Sequence, residues 1–250
     1  MPADIRTLTK LLPKIAYPVL RGPLRGARFI LGALAGEGGG ARVYFNRVEP
    51  EQTRVFAATV SKGQVVFDIG ANVGYYTILA SRLVGARGIV VAFEPVARNL
   101  SYLYRHIGLN RANNVMIVPV ACSDALSLGT FDKGINYALG HLHSDTMNCR
   151  LVGSKNRITL VPTVDVDSVV ERLGYSPHVV KIDVEGAELL VLHGMRNTLL
   201  ASRPTLFLSV HSSDLRSRCL AHLADMGYTA ELLGRDEKEP KEFLVRYLRR

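Results

Sequence analysis

Four polar residues sit at the ends of apolar runs in this chain. Asp68 lies inside Val65-Val-Phe-Asp-Ile69, and Glu94 follows Gly88-Ile-Val-Val-Ala-Phe93. Asp183 ends Val179-Val-Lys-Ile-Asp183, and His211 follows Thr205-Leu-Phe-Leu-Ser-Val210. Such runs suit strands buried on both faces of a parallel sheet. The carboxyl ends of those strands lie on one edge, where open α/β sheets take ligands. Carboxylates gathered there could hold a cation or accept bonds from ribose hydroxyls. Glu94, at the end of the second run, is the ribose candidate. Asp183, Glu185 and His211 are the candidates for removing a proton from an acceptor. We read His211 or Asp183 as the base, with Glu185 orienting the acceptor. A divalent ion bridging Asp183 and His211 would do the same work as a Lewis acid. Taken singly, each of these residues is also an ordinary helix-start or strand-end side chain; their common register is the signal.

Between the first run and the next segment lies Gly70-Ala-Asn-Val-Gly74. Val73, Tyr76, Thr77, Ala80 and Leu83 recur at helical spacing, so the segment reads as strand, tight Gly loop, helix. A dinucleotide loop would carry G-x-G-x-x-G, whose second Gly lets a pyrophosphate approach the backbone. Here Asn72 stands at that second Gly and Tyr75 at the third. Asp68 inside the strand end also favours a cationic group over a phosphate. S-adenosylmethionine, with an ammonium, a sulfonium and a ribose, suits these residues better than NAD(P).

The elements that must position these groups follow in chain order. Pro50 to Val60 is expected as a helix with Pro near its start. Val96 to Ile107 is the next helix after Glu94-Pro95, and Val115 to Val120 a third strand. Leu128 to Phe131 and Ile158 to Val161 read as short strands around an irregular loop containing His141 and His143. Val166 to Leu173 and Glu185 to Leu192 read as helices, and Ser212 or Ser213 as the cap of a helix ending at Gly227. Thr229 to Leu233 and Phe243 to Leu248 are the last strands. Alternating strands and helices in this order give a right-handed parallel sheet.

At 250 residues and 48% hydrophobic content, the chain can bury one large core. The formal net charge of +9 points to nucleic acid, an anionic membrane or an acidic substrate, or to a basic tail on an enzyme. Arg6, Lys10, Lys14, Arg21, Arg25 and Arg28 oppose only Asp4 in the first thirty residues. Residues 1–40 therefore read as a basic amphipathic or flexible N-terminal arm, and 41–250 as the catalytic domain. The arm is a candidate for peripheral membrane contact, with no apolar run of spanning length. Cys122, Cys149 and Cys219 lack paired spacing and fit a reducing, cytoplasmic compartment.

Phe67-Asp-Ile-Gly-Ala-Asn-Val-Gly-Tyr-Tyr76, Phe93-Glu-Pro95, Ser123-Asp124 and Lys181-Ile-Asp-Val-Glu-Gly-Ala-Glu188 together resemble the FkbM-type S-adenosylmethionine-dependent methyltransferases. The resemblance covers roughly residues 50 to 235. It implies a Rossmann-like class I methyltransferase fold: a seven-stranded, mostly parallel sheet with helices on both faces, its last strand antiparallel. It also implies O-methylation of a hydroxyl on a small molecule, glycan or glycolipid. By the same resemblance Asp68, Gly70, Asn72 and Gly74 line the methionine end of the cofactor. Glu94 holds the ribose and Asp124 the adenine amino group. Methylases of base nitrogens and amides commonly carry an Asn/Asp-Pro-Pro-Tyr-type motif after the fourth strand. Asp183-Val-Glu-Gly186 occupies that place here, which argues against nucleic acid. The competing readings are an NAD(P)-dependent oxidoreductase and a non-catalytic, membrane-associated cofactor-binding protein.

Overall fold

A computed structural model describes residues 14–33, 41–132, 141–143, 158–234 and 241–248. The main sheet takes its strands from β3 (Val65–Ile69), β4 (Ile89–Phe93), β5 (Val115–Val118), β10 (Val179–Ile182), β11 (Thr205–Val210), β12 (Tyr228–Leu233) and β13 (Lys241–Tyr247). Their order is β12-β13-β11-β10-β3-β4-β5. β13 runs antiparallel between β11 and β12, while β11, β10, β3, β4 and β5 pair in parallel. The seven-stranded, mostly parallel α/β sheet implied by the resemblance is present.

Period-2 alternation divides the central strands between two cores. Val66, Val90, Val179 and Phe207 face one side, packed by α2 (Pro50–Thr59) and α3 (Tyr75–Val84). Phe67, Val91, Val180 and Leu208 face the other. There they meet α5 (Val166–Leu173), α6 (Glu188–Gly194), α7 (Arg196–Ser202) and α8 (Ser213–Asp225). Pairing in register sets Lys181 opposite Asp68 across β10 and β3. Both carry the parity of the first core, so two charged side chains enter the same buried layer. α4 (Ala97–Asn110) lies beside α3 and the Arg28–Ile30 segment near the N-terminus. Pro50 occupies the first turn of α2, where its missing N–H costs nothing. Ser212 caps α8 by accepting from the Leu215 N–H at 3.2 Å.

A second sheet, in the order β6-β9-β7-β8, is built from β6 (Ala121–Ser123), β7 (Ser127–Asp132), β8 (His141–His143) and β9 (Ile158–Asp165). β6 and β9 are parallel, and the other pairs antiparallel. The strands expected at 128–131 and 158–161 are thus both longer.

Of the expected N-terminal arm, residues 1–13 and 34–40 lie outside the described residues. Residues 14–33 hold an antiparallel pair, β1 (Ala16–Pro18) and β2 (Arg28–Ile30), followed by the short α1 (Ala41–Tyr44). Val19, Leu24, Ala27, Phe29, Val43 and Tyr44 from this layer are buried in the first core. His106 ties the layer down: its Nε2 accepts from the Ile30 N–H at 3.0 Å, and its Nδ1 meets the Val73 carbonyl at 2.6 Å. No helix among the described residues is long and apolar enough to cross a membrane.

Candidate active site

The Gly loop after β3 is folded onto the end of β4. The Gly70 and Ala71 N–H groups both donate to the Phe93 carbonyl, at 3.0 and 2.9 Å. The Asn72 N–H donates to Glu94 Oε2 at 2.8 Å. Three successive loop donors are therefore already used by the chain rather than turned toward a pyrophosphate. Gly70 itself is fixed by crowding. Its φ is +85°, and a Cβ there would lie 1.9 Å from the Asp183 carbonyl oxygen. Asn72 holds a left-handed φ of 51° without being glycine.

A cleft opens on this edge, lined by Gly70, Asn72, Glu94, Pro95, Asn99 and Asp183, with Ala121 and Cys122 of β6 and the Val184-Glu185 turn completing the wall. Glu94 is nearly buried, and its Oε1 accepts from the Val96 N–H at 2.8 Å and the Asn99 amide at 3.3 Å. Burial outweighs these bonds and pushes its carboxyl up to about 7. Asp68 lies below the cleft floor, 2% exposed, accepting from the Thr77 hydroxyl at 2.5 Å. Burial lifts it to about 6 against the pull of Lys181 and Thr77. Gly74 caps α3 at φ +95° under Leu103 and is not part of the cleft wall. Asp124 also lies away from it. Asp124 is exposed, meets Ser123 Oγ at 3.1 Å, and lines a second hollow with Asp165, Asp167 and His193.

On the other side of the cleft three predicted residues come together. His211 Nε2 lies 3.1 Å from Glu185 Oε2 and 3.5 Å from Asp183 Oδ1. Its Nδ1 lies 2.7 Å from Oε1 of Glu188, whose side chain is fully buried. That Glu188 oxygen also accepts from the Gly186 N–H at 3.0 Å, which locks it in place. Glu188 thus orients the imidazole with Nε2 toward the cleft side. Burial opposes charge on His211, but the Glu188 bond and the Asp183 and Glu185 carboxylates outweigh it and raise the imidazole to about 9. The turn carrying Glu185 is held in a left-handed conformation, φ 54°, followed by Gly186 at φ 112°. Asp183, Glu185 and His211 can each offer one ligand atom, all within 4.8 Å of one another, so the same trio has the donor set for a divalent ion.

Lys181 is the residue whose role the sequence reading did not assign. It is 2% exposed, donates to Asp183 Oδ2 at 2.9 Å, and sits 4.6 Å over the Tyr76 ring. The Tyr76 hydroxyl donates to Glu49 Oε2 at 2.8 Å. Burial alone would lower the Lys181 ammonium, yet Asp183, Glu49 and Asp68 hold it above its ordinary value. Asp183 is in turn kept low, because Lys181 and His211 outweigh its burial. A lysine in the middle of an apolar strand was the available signal: a buried ammonium requires partners.

The two sides share one joint. A Cβ on Gly194, at the end of α6, would lie 1.9 Å from the Ser123 carbonyl oxygen of β6. α6 carries Glu188, and β6 carries the cleft wall, so they are packed backbone to backbone. Cys122 and Cys219 are buried free thiols, and burial raises both. Cys149 lies outside the described residues.

The family model of the methyltransferase FkbM domain matches residues 68–230, more than half of the chain. The hexuronic acid methyltransferase AglP of Haloferax volcanii is 29% identical over 156 residues, 61% of this chain and 59% of that protein. The AMB antimetabolite synthetase AmbE of Pseudomonas aeruginosa is 29% identical over 197 residues, 64% of this chain and 9% of that protein. The chain spans less than two thirds of either relative's length. The crystal structure of methyltransferase FkbM from Methylobacillus flagellatus KT superposes with a TM-score of 0.53 at 18% identity, over 74% of this chain and 43% of that one. Aeropyrum pernix fibrillarin, solved with S-adenosyl-L-methionine bound, gives 0.50 at 13% identity, over 75% of this chain and 68% of that one. At those identities the two structures speak to the fold. The domain match, which takes in Asp68 at the end of β3, the Gly loop, Glu94 and the whole Asp183–His211 cluster, makes this chain a member of the FkbM methyltransferase family.

Proposed function

We propose that this chain transfers a methyl group from S-adenosylmethionine to a hydroxyl oxygen on a small molecule, glycan or glycolipid. The observation that carries this reading is the His211 cluster: an imidazole fixed by buried Glu188, with Nε2 beside Asp183 and Glu185 at the edge of the cleft. S-adenosylmethionine is the methyl donor, and it supplies an activated methyl on a sulfonium. Glu94 and Asn99 would receive its ribose, and Asp68, behind the loop, would favour its cationic end. Asp124, exposed and outside the cleft wall, needs a side-chain rotation to meet the adenine amino group.

The reaction is an in-line displacement. An acceptor oxygen held about 3–3.5 Å from the methyl carbon forms the new C–O bond while the C–S pair returns to sulfur. The hydroxyl proton passes to His211 Nε2, and Glu188 holds the other ring nitrogen as the imidazolium forms. Glu185 orients the acceptor, and Lys181 keeps Asp183 ionised beside it. The exposed charge around the acceptor position is carboxylate, which suits a neutral hydroxyl better than an anionic oxygen. AglP is named for hexuronic acid, so an acidic sugar is a first acceptor to test.

Because the imidazole is raised to about 9, the base is mostly protonated at neutral pH. We expect kcat/KM, measured over glycan, glycolipid and polyketide hydroxyl acceptors, to climb with pH toward about 9. A profile flat above about pH 6 would instead assign the proton to Asp183. A divalent ion on Asp183, Glu185 and His211 is the second reading, favoured by their ligand spacing. Loss of turnover in chelator, restored by added Mg²⁺ or Mn²⁺, selects it.

A further inference from the structure

We propose that the outer face of the N-terminal layer docks on an anionic lipid bilayer. Residues 14–33 and 41–47 carry Lys14, Arg21, Arg25, Arg28, Arg42 and Arg47, and no Asp or Glu. All six bases are exposed. The inner row of the same layer is buried in the core, so these bases lie outside it. Three large apolar side chains stand out among the bases: Ile15 at 57%, Leu20 at 54% and Phe45 at 42% exposed.

Leu20, Arg21, Phe45 and Arg47 form one surface. The Leu20 N–H donates to the Tyr44 carbonyl at 2.9 Å, and Gly22 is pressed against the Asn46 side chain. Leu20 and Arg21 therefore lie alongside Phe45 and Arg47. The Leu31 N–H donates to the Ile15 carbonyl at 3.0 Å, which fixes Ile15 on the same hairpin. Bases alone would suit any polyanion. Apolar side chains set among them gain by sinking into the boundary between headgroups and acyl chains, which a soluble polyanion does not offer. The surface is also joined to the cleft. Arg47 leads through Val48 to Glu49, which accepts from Tyr76 beneath Lys181. Resting on the methyl-transfer reading, the consequence is that the acceptor hydroxyl belongs to a lipid-anchored molecule presented at the bilayer.

The test is co-sedimentation of the full chain with vesicles of phosphatidylcholine alone and with about one third phosphatidylserine. We expect binding only to the anionic vesicles, weakening with salt. Arg21→Gln and Arg47→Gln should each lower the partition coefficient about fivefold. Leu20→Ser with Phe45→Ser should lower it about tenfold or more while leaving the salt dependence intact. Unchanged thermal unfolding and unchanged stabilisation by S-adenosylhomocysteine show that each variant is folded with its cleft intact. No binding, or equal binding to both vesicles, overturns the proposal. So does tighter binding to a structured RNA that is indifferent to Leu20→Ser and Phe45→Ser. None of these readouts uses turnover, so failure of the methyl-transfer reading registers separately.

Discussion

The donor half and the acceptor half of the cleft are both acidic, but they answer that acidity differently. Asp68 and Glu94 accept only from neutral groups, Thr77, Asn72, Val96 and Asn99, and burial raises both carboxyls. Asp183 and Glu185 are met by cations, the Lys181 ammonium and the His211 imidazole, and Asp183 is held low. Among the described residues no cation reaches ion-pair distance of Asp68 or Glu94, and on the proposed reading a sulfonium donor brings that charge. The second is compensated in advance, which on that reading suits a neutral hydroxyl.

The largest effect expected from that difference is on turnover. Asp183→Asn and His211→Ala should each lower kcat by about 10²–10⁴, with S-adenosylhomocysteine affinity almost unchanged. A parallel loss of donor affinity would erase the distinction between the halves. Glu94→Gln should do the reverse. Losing a charged acceptor of this kind costs roughly 1.5–3 kcal/mol, or about tenfold to a hundredfold in donor affinity by calorimetry, with kcat at saturating donor much less changed.

Stability sharpens the contrast. Gly70→Ala sets a methyl against the Asp183 backbone, which cannot move without shifting β10. Gly74→Ala meets the tip of the Leu103 side chain, 2.6 Å away, which can turn aside. Both also pay a positive-φ penalty of about 1 kcal/mol. Chemical denaturation should therefore show Gly70→Ala as clearly the worse, and equal losses would mean that the two halves are not braced through this contact.

The smallest effect is in pH. Asp68 and Glu94 bind protons more tightly folded than unfolded, so their contribution to stability falls as pH rises through about 6 and about 7. The His211 contribution is complete below its unfolded pKa and is lost as pH rises through about 9. Donor affinity should move the opposite way, rising between about pH 5 and 8 as the two donor-side carboxylates ionise to meet the cation. Flat affinity over that range would show that the donor half does not respond to charge.

The strand ends were legible because buried parallel strands write their pattern in consecutive residues. Val65–Ile69 and Thr205–Val210 could be read directly, as could Asp68, Glu94, Asp183 and His211 at their ends. The pairing of His211 with Glu188 was not, because a helix start and a strand end 23 residues apart meet only through the fold. In the sequence Glu188 falls one turn into the helix expected from Glu185, where it reads as structural. The β1–β2 hairpin was also hidden. Its prolines and glycines break any period, and its burial depends on His106, far along the chain. Gly70 was read as a residue lining the donor, and the structure adds a backbone contact that no local pattern could reveal.

Gly194 bears on what happens between turnovers. With α6 seated flush on β6, the wall that touches the donor and the carboxylate that steers the imidazole move as one piece. On the methyl-transfer reading, spent thioether leaves and fresh donor arrives beside a proton acceptor whose aim this joint holds.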